Sequence, residues 1–226
     1  MADYFFSQSS GSDSNPGTEV LPFQTMAKLA SLGIVGGDNC WLKAGETWNE
    51  QLLIADKGSG NTPITVGRYG AGADPVIDRL NAALSVGIGV YNSAYTILGF
   101  ISVKNCALHG IWHSADIGLG TGDTFGLWLQ YCTTENVSTQ FANQYDHIHI
   151  DTGVDTYSGS GTERRITGCR CIGDGGERDG ISLNGNLSWT VDRNRVTGCN
   201  ATGAGQGDRI TSHETVDGHI IRFNIC

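Results

Sequence analysis

The stretch Asp146-His-Ile148-His-Ile150 decides how this chain is read. Variants of it stand at His109-Gly-Ile111-Trp-His113, Asp179-Gly-Ile181-Ser-Leu183 and Asp208-Arg-Ile210-Thr-Ser212. Apolar residues recur at every second position, the period of a strand with one buried face. A second pattern interleaves with the first: Ile97 to Ser102, Cys132 to Val137, Ile166 to Cys171, Val191 to Val196 and Ile221 to Cys226. Its starts differ by 35, 34, 25 and 30 residues. Strands this short cannot bury a face alone, but stacked in parallel about 4.8 Å apart they can. The expected fold is all-β, a parallel β-solenoid. Asn, Thr, Ser and Cys at the repeated inward positions suit side-chain ladders along its core.

Composition agrees. The chain has 226 residues, 33 of them glycine, which is about twice the usual share. Glycine shows no period of three, which excludes collagen. Charged residues make up 16% and hydrophobic ones 39%, spread along the whole chain, which excludes a disordered tail or a coiled coil. The formal net charge is −9, against the basic balance of a general nucleic-acid binder. Eight of the 14 Lys and Arg residues nevertheless lie from Arg164 onward, enough for a local basic strip. No apolar run approaches the ~18 residues of a membrane span. The opening Met1-Ala-Asp-Tyr4 lacks the features of a signal peptide. The expected location is extracellular, secreted or virion-associated, with the leader removed or export by another route.

Seven cysteines cannot all pair, and their spacing matches no common zinc pattern. Cys169 and Cys171 would share one face of a strand, so buried thiols are expected.

One domain spans 1–226, with a strand, a turn cluster and a capping helix over 1–35 and solenoid coils over 36–226. Pro22 to about Leu32 carries apolar residues at helical spacing and predicts about three turns starting at the proline. Short strands are expected at Tyr4–Phe6, Cys40–Leu42, Leu52–Ile54, Ile64–Val66 and Val76–Ile77. Ile221–Cys226 reads as a strand with nothing after it, which implies a truncated chain or one completed by a partner.

The segments Tyr4-Phe-Phe-Ser7, Gly11-Ser-Asp-Ser-Asn-Pro-Gly-Thr18, Pro22-Phe-Gln-Thr25, Gly37-Asp38 and Gly45-Glu-Thr-Trp48 resemble the start of right-handed parallel β-helix proteins of the pectin-lyase-like superfamily. Ile64-Thr-Val-Gly-Arg-Tyr-Gly70 and Pro75-Val-Ile-Asp78 resemble its first coils. The resemblance implies a right-handed parallel β-helix with a short N-terminal capping helix. It implies the company of polysaccharide lyases, glycoside hydrolases, epimerases and tailspike or adhesin modules, without choosing among them. Asp179-Gly-Ile181 resembles part of a pectate lyase stretch that precedes a catalytic lysine, but Lys104 is the last lysine here. The paired-Asp and Gly-His-Gly motifs of the polygalacturonases are absent, so neither activity carries over.

On the second recurring strand Ile148 and Ile150 point inward, so His147, His149 and Asp151 are expected to point outward. Trp112, Ser182 and Thr211 align with His149. Arg209 and Gly180 align with His147, and Asn184 and His213 with Asp151. Such a strip suits a glycan: Trp112 for a sugar face, Asn184 and Arg178 for polar contacts, and a cation for a carboxylate. For β-elimination on a uronate, His147 or His149 would be the base, with Asp151 and His213 beside it and Arg209 or Ca²⁺ neutralising the carboxylate. His147-x-His149-x-Asp151 also has strand spacing for a metal pair plus carboxylate. The loop Gly173–Asp179 offers Asp174, Glu177 and Asp179 as Ca²⁺ ligands or as a hydrolase acid and base. Asp146, Asp179 and Asp208 recur just before the strand and read chiefly as turn-capping residues. The expectation is a carbohydrate-active enzyme, a lyase on an anionic polysaccharide before a hydrolase. The alternative from another class is a non-catalytic, glycan-binding virion-attachment solenoid that forms a homotrimer. No nucleic-acid or membrane partner is expected.

Overall fold

The computed structural model describes residues 1–55, 62–91, 95–114, 126–137, 145–151, 164–173, 179–185, 188–199, 210–212, 219–222 and 224–225. The strand β1 (Asp3–Phe6) and the helix α1 (Met26–Ala30) come before the coils. Three strands then make each coil. The first is β2 (Asn39–Lys43), β3 (Thr47–Trp48) and β4 (Leu52–Ile54). The second is β5 (Ile64–Tyr69), β6 (Val76–Asp78) and β7 (Ile88–Tyr91). The third is β8 (Tyr95–Gly99), β9 (Ser102–Lys104) and β10 (Ile111–Ser114). The fourth is β11 (Gly126–Gln130), β12 (Thr133–Glu135) and β13 (Ile148–Asp151). The fifth is β14 (Arg164–Thr167), β15 (Arg170–Ile172) and β16 (Ile181–Asn184). The sixth is β17 (Thr190–Asp192), β18 (Arg195–Thr197) and β19 (Ile210–Ser212), and β20 (Ile220–Arg222) follows.

Corresponding strands of successive coils pair in parallel. Sheet A runs β1-β2-β5-β8-β11-β14-β17-β20, sheet B β3-β6-β9-β12-β15-β18 and sheet C β4-β7-β10-β13-β16-β19. This is a parallel β-helix. Its core is a set of columns between the sheets. Ile111, Ile148, Ile181 and Ile210 stack in sheet C, as their spacing predicts. Ile111, Ile148 and Ile181 are fully buried. Each such side chain contributes about 1.5–3 kcal/mol by leaving water.

The other recurring pattern is a corner joining two strands, so a coil has three strands where the repeats suggested two. Between sheets A and B the chain turns through one left-handed residue: Phe100 (φ 59°), Tyr131 (φ 53°), Gly168 (φ 64°) and Arg193 (φ 57°). The next residue points inward and is buried: Ile101, Cys132, Cys169 and Asn194. A left-handed residue breaks strict alternation, so an alignment made on alternation alone slips at these corners. Leu98, Leu129, Ile166, Val191 and Ile221 share a column, so the copies expected to start at Ile97 and Cys132 start at Leu98 and Leu129. Cys40, Cys106, Cys132, Cys169, Cys171 and Cys199 are all buried and none forms a disulfide.

The capping helix is five residues long, where the sequence predicts about three turns. Its upstream carbonyls are already used. Gln24 O accepts from Trp48 Nε1 (2.7 Å), Pro22 O accepts from the Ser12 amide (3.0 Å), and Phe23 bridges to Phe6. Thr25 caps the helix instead, its Oγ1 accepting from the Lys28 amide at 3.0 Å. Met26 and Leu29 close the first coil by packing on β4. Glu46 ties the N-terminal segment to the coils by accepting from Ser7 Oγ, Ser9 Oγ and the Gln8 amide.

Candidate functional site

The outer face of sheet C holds most of the candidate residues that the structure describes. In β13, Ile148 and Ile150 are fully buried while His149 and Asp151 lie on the other face. Trp112, Ser182 and Thr211 share the column of His149. Ser114 and Asn184 share that of Asp151. The same register, continued two residues upstream of the Ile column, places His109, Asp146 and Asp179 at one level. The bonds Gly110 N–H to Asp146 O (3.4 Å) and His147 N–H to Asp179 O (3.1 Å) carry the ladder there.

His109, Asp146 and His149 meet at this edge. Asp146 is 3% exposed and His109 6%. Asp146 Oδ2 lies 2.7 Å from His149 Nδ1, and Asn184 Nδ2 lies 3.3 Å from His149 Nε2. A carboxylate only accepts, so Nδ1 carries the ring proton of His149 and Nε2 carries the lone pair that faces the Asn184 amide. The Asp146 backbone N–H donates to His109 Nδ1 at 3.2 Å. A ring that accepts there is uncharged. Burial first, and then the neighbouring His149, push the His109 imidazole down to about 3. The two imidazoles stack with centroids 4.3 Å apart and planes at 28°. Aromatic rings wall the pair. Trp112 lies 5.4 Å from His109 and 6.5 Å from His149, Tyr91 lies edge-on to Trp112, and Tyr145 lies edge-on to His109. Asp146 Oδ1 is buried with no hydrogen-bond partner among the described residues.

His149, Asp151, Trp112 and Asn184 therefore stand on one surface in the expected register. His147 does not, and its expected outward direction is corrected. It is fully buried, with Nδ1 2.9 Å from Thr134 Oγ1 across the core. It precedes the strand, where the turn rather than the pleat sets direction, and Gly110 and Gly180 leave room at its level. The metal triplet His147-x-His149-x-Asp151 fails for the same reason. Asp179 is buried and accepts from Thr211 Oγ1 at 2.8 Å. Arg209, His213, Arg178, Asp174 and Glu177 lie outside the described residues. Sequence reasoning misses His109 as a site residue and reads Asp146 chiefly as a turn-capping residue, to which the structure adds its bond to His149. The signal was their shared position two residues before the Ile column. A separate cleft of about 470 Å³ is lined by Lys104, Asn105, Glu135, Asn136, Ile172 and Gly173, and holds no imidazole. Among the described residues no helix is long and apolar enough to cross a membrane.

No protein-family model matches the chain, and no curated protein matches it in sequence. Solved structures do. A GH136 lacto-N-biosidase from Eubacterium ramulus superposes with a TM-score of 0.70 at 19% identity, over 86% of this chain and 41% of that one. A rhamnogalacturonan lyase superposes with a TM-score of 0.63 at 16% identity, over 95% of this chain and 63% of that one. The chain thus spans less than two thirds of either. At these identities the likeness shows the fold: this chain is a parallel β-helix like those of enzymes that act on glycans.

Proposed function

We propose that the protein is a carbohydrate-active enzyme that cleaves an anionic polysaccharide by β-elimination along the outer face of sheet C. The observation that carries this reading is the relay Asp146–His149–Asn184. Asp146 holds the Nδ1–H of His149, so Nε2 is a base whose lone pair faces the Asn184 amide on the outer strip. Asp146 also stabilises the imidazolium that forms when Nε2 takes a proton, the same division of labour as in other carboxylate–histidine pairs. Trp112 and Tyr91 offer ring surfaces to a sugar, and Asp151 and Asn184 offer hydrogen bonds to hydroxyls.

A uronate bound here displaces the Asn184 amide from Nε2. His149 removes the proton on the carbon next to the carboxylate. The electron pair forms the new double bond, and the glycosidic oxygen leaves from the neighbouring carbon, taking a proton from water or from the His149 imidazolium. The carboxylate needs a neutralising cation. Arg209, or Ca²⁺ held by the Asp174–Glu177 loop, is proposed for this role.

The test is incubation with alginate, pectate, chondroitin and neutral glycans, with and without Ca²⁺, following unsaturated-uronate absorbance and reducing ends together. Both signals should rise on an anionic glycan, and His149→Ala should slow them by roughly 10²–10⁴-fold, the usual worth of a general base. Reducing ends without absorbance would replace elimination by hydrolysis.

A further inference from the structure

We propose that His109, Asp146 and His149 bind one divalent transition metal ion, Zn²⁺ by preference, and that the bound ion switches off His149 as a base. The first half stands on the geometry alone. The second rests on the role given to His149 above.

One donor atom from each of the three residues lies within 4.8 Å of the others. Zinc bonds of about 2.0–2.2 Å put tetrahedral donors about 3.4 Å apart, so rotations of about 1 Å close the set. Both Nδ1 atoms are turned toward Asp146: His109 Nδ1 is 3.2 Å from its amide nitrogen and His149 Nδ1 is 2.7 Å from its carboxylate. The second oxygen, Oδ1, is buried and has no hydrogen-bond partner among the described residues. A buried carboxylate lone pair beside an uncharged imidazole is an arrangement that a cation satisfies. Two imidazoles and one carboxylate suit zinc and its neighbours, whereas Ca²⁺ wants six or more oxygens. Three protein ligands leave a fourth position open. Once Nε2 carries the proton, the Asn184 amide, 3.3 Å away, has to turn so that its Oδ1 accepts from Nε2–H and orients the His149 ring from behind, as outer partners of metal-bound histidines do.

The proton balance gives the ion its effect. His109 already has a lone pair on Nδ1 and gives up only a long hydrogen bond. In His149 the single ring proton moves from Nδ1 to Nε2 when the metal takes Nδ1. Nε2 then has no lone pair left for a substrate proton. Metal and base thus compete for one ring, and the ion inhibits.

Equilibrium dialysis of the full chain against Zn²⁺ and Co²⁺, with elemental analysis, should find one ion per chain. The Co²⁺ form should show the visible bands of a nitrogen-ligated ion. His109→Asn, Asp146→Asn and His149→Gln, each with a wild-type circular dichroism spectrum, should weaken binding by at least about tenfold. No bound ion, or folded variants that bind like wild type, overturns the site. In the uronate assay Zn²⁺ should abolish turnover at the concentration that fills the site, and a Zn²⁺-selective chelator, added with Ca²⁺ in excess, should restore it. Full activity with the site filled overturns the competition and leaves the site standing. Stoichiometric metal with no turnover on any glycan, metal-free or loaded, supports the site and overturns the base.

Discussion

Replacing Asp146 by Asn separates a residue that serves the site from one that merely caps a turn. Asp146 is 3% exposed, its Oδ2 holds His149 Nδ1 at 2.7 Å, and its Oδ1 has no partner among the described residues. The charge-assisted bond contributes about 1.5–3 kcal/mol, and the unsatisfied buried oxygen costs about 1–3 kcal/mol. Asn keeps the shape, retains a neutral hydrogen bond of about 0.5–1.5 kcal/mol and exchanges the unpartnered charged oxygen for an unpartnered neutral amide nitrogen, which costs less. These terms nearly cancel, so stability should stay within about 1 kcal/mol of wild type, or ~2–4 °C in melting temperature for a chain of this size. Activity should not survive, because an amide neither stabilises the imidazolium nor fixes the Nδ1–H tautomer. The expected loss is roughly 10²–10⁴-fold. Urea unfolding followed by circular dichroism gives the first number, and the rate of unsaturated-uronate formation the second. A destabilisation above about 3 kcal/mol, with activity tracking the folded fraction, would refute the reasoning and return Asp146 to a structural role.

Two further outcomes test the fold. His113 sits in a core column between Val90 and Ile150, with the Trp189 ring 6.3 Å away, and both its nitrogens are buried with no hydrogen-bond partner among the described residues. Burial pushes its imidazole down to about 4, so the unfolded chain binds the proton first as pH falls and stability drops from about pH 6.5 downward. His113→Leu should add about 1–3 kcal/mol at neutral pH and flatten that slope; urea midpoints at about pH 7 and pH 5 decide, and a less stable variant rejects the account. Gly168 is left-handed (φ +64°), and a Cβ there would come within 2.6 Å of the Tyr131 ring, which stacks on Phe100. Gly168→Ala should cost about 1–2 kcal/mol, and adding Tyr131→Gly should recover part of it; equal costs in both backgrounds would exclude the contact.

The legible parts of this protein are those with period two. Ile111, Ile148, Ile181 and Ile210 can be aligned by eye because a strand repeats its buried side every second residue, and the register of Trp112, Ser182 and Thr211 with His149 follows from it. The corners were harder. A single left-handed residue such as Tyr131 or Arg193 advances the chain without alternating, so the copies at Ile97 and Cys132 slipped by one and three residues. The helix is shorter than its apolar spacing predicts for a related reason: Pro22, Phe23 and Gln24 spend their backbone groups on strand and tryptophan partners.

His147 and His149 show where local pattern stops. Both are histidines two residues apart, and alternation alone puts them on one face. Sequence by itself determined the solenoid, the parallel stacking of the strands that make sheet C and the outer position of His149, because burial of alternate side chains is a local demand repeated along the chain. Only the tertiary structure decided that His147 turns into the core against Thr134 and that His149 finds Asp146 on its own coil and His109 on the coil before. Residues 37 positions apart become neighbours through the stacking of coils, and the number of residues in a coil, which no local period records, sets which residues meet.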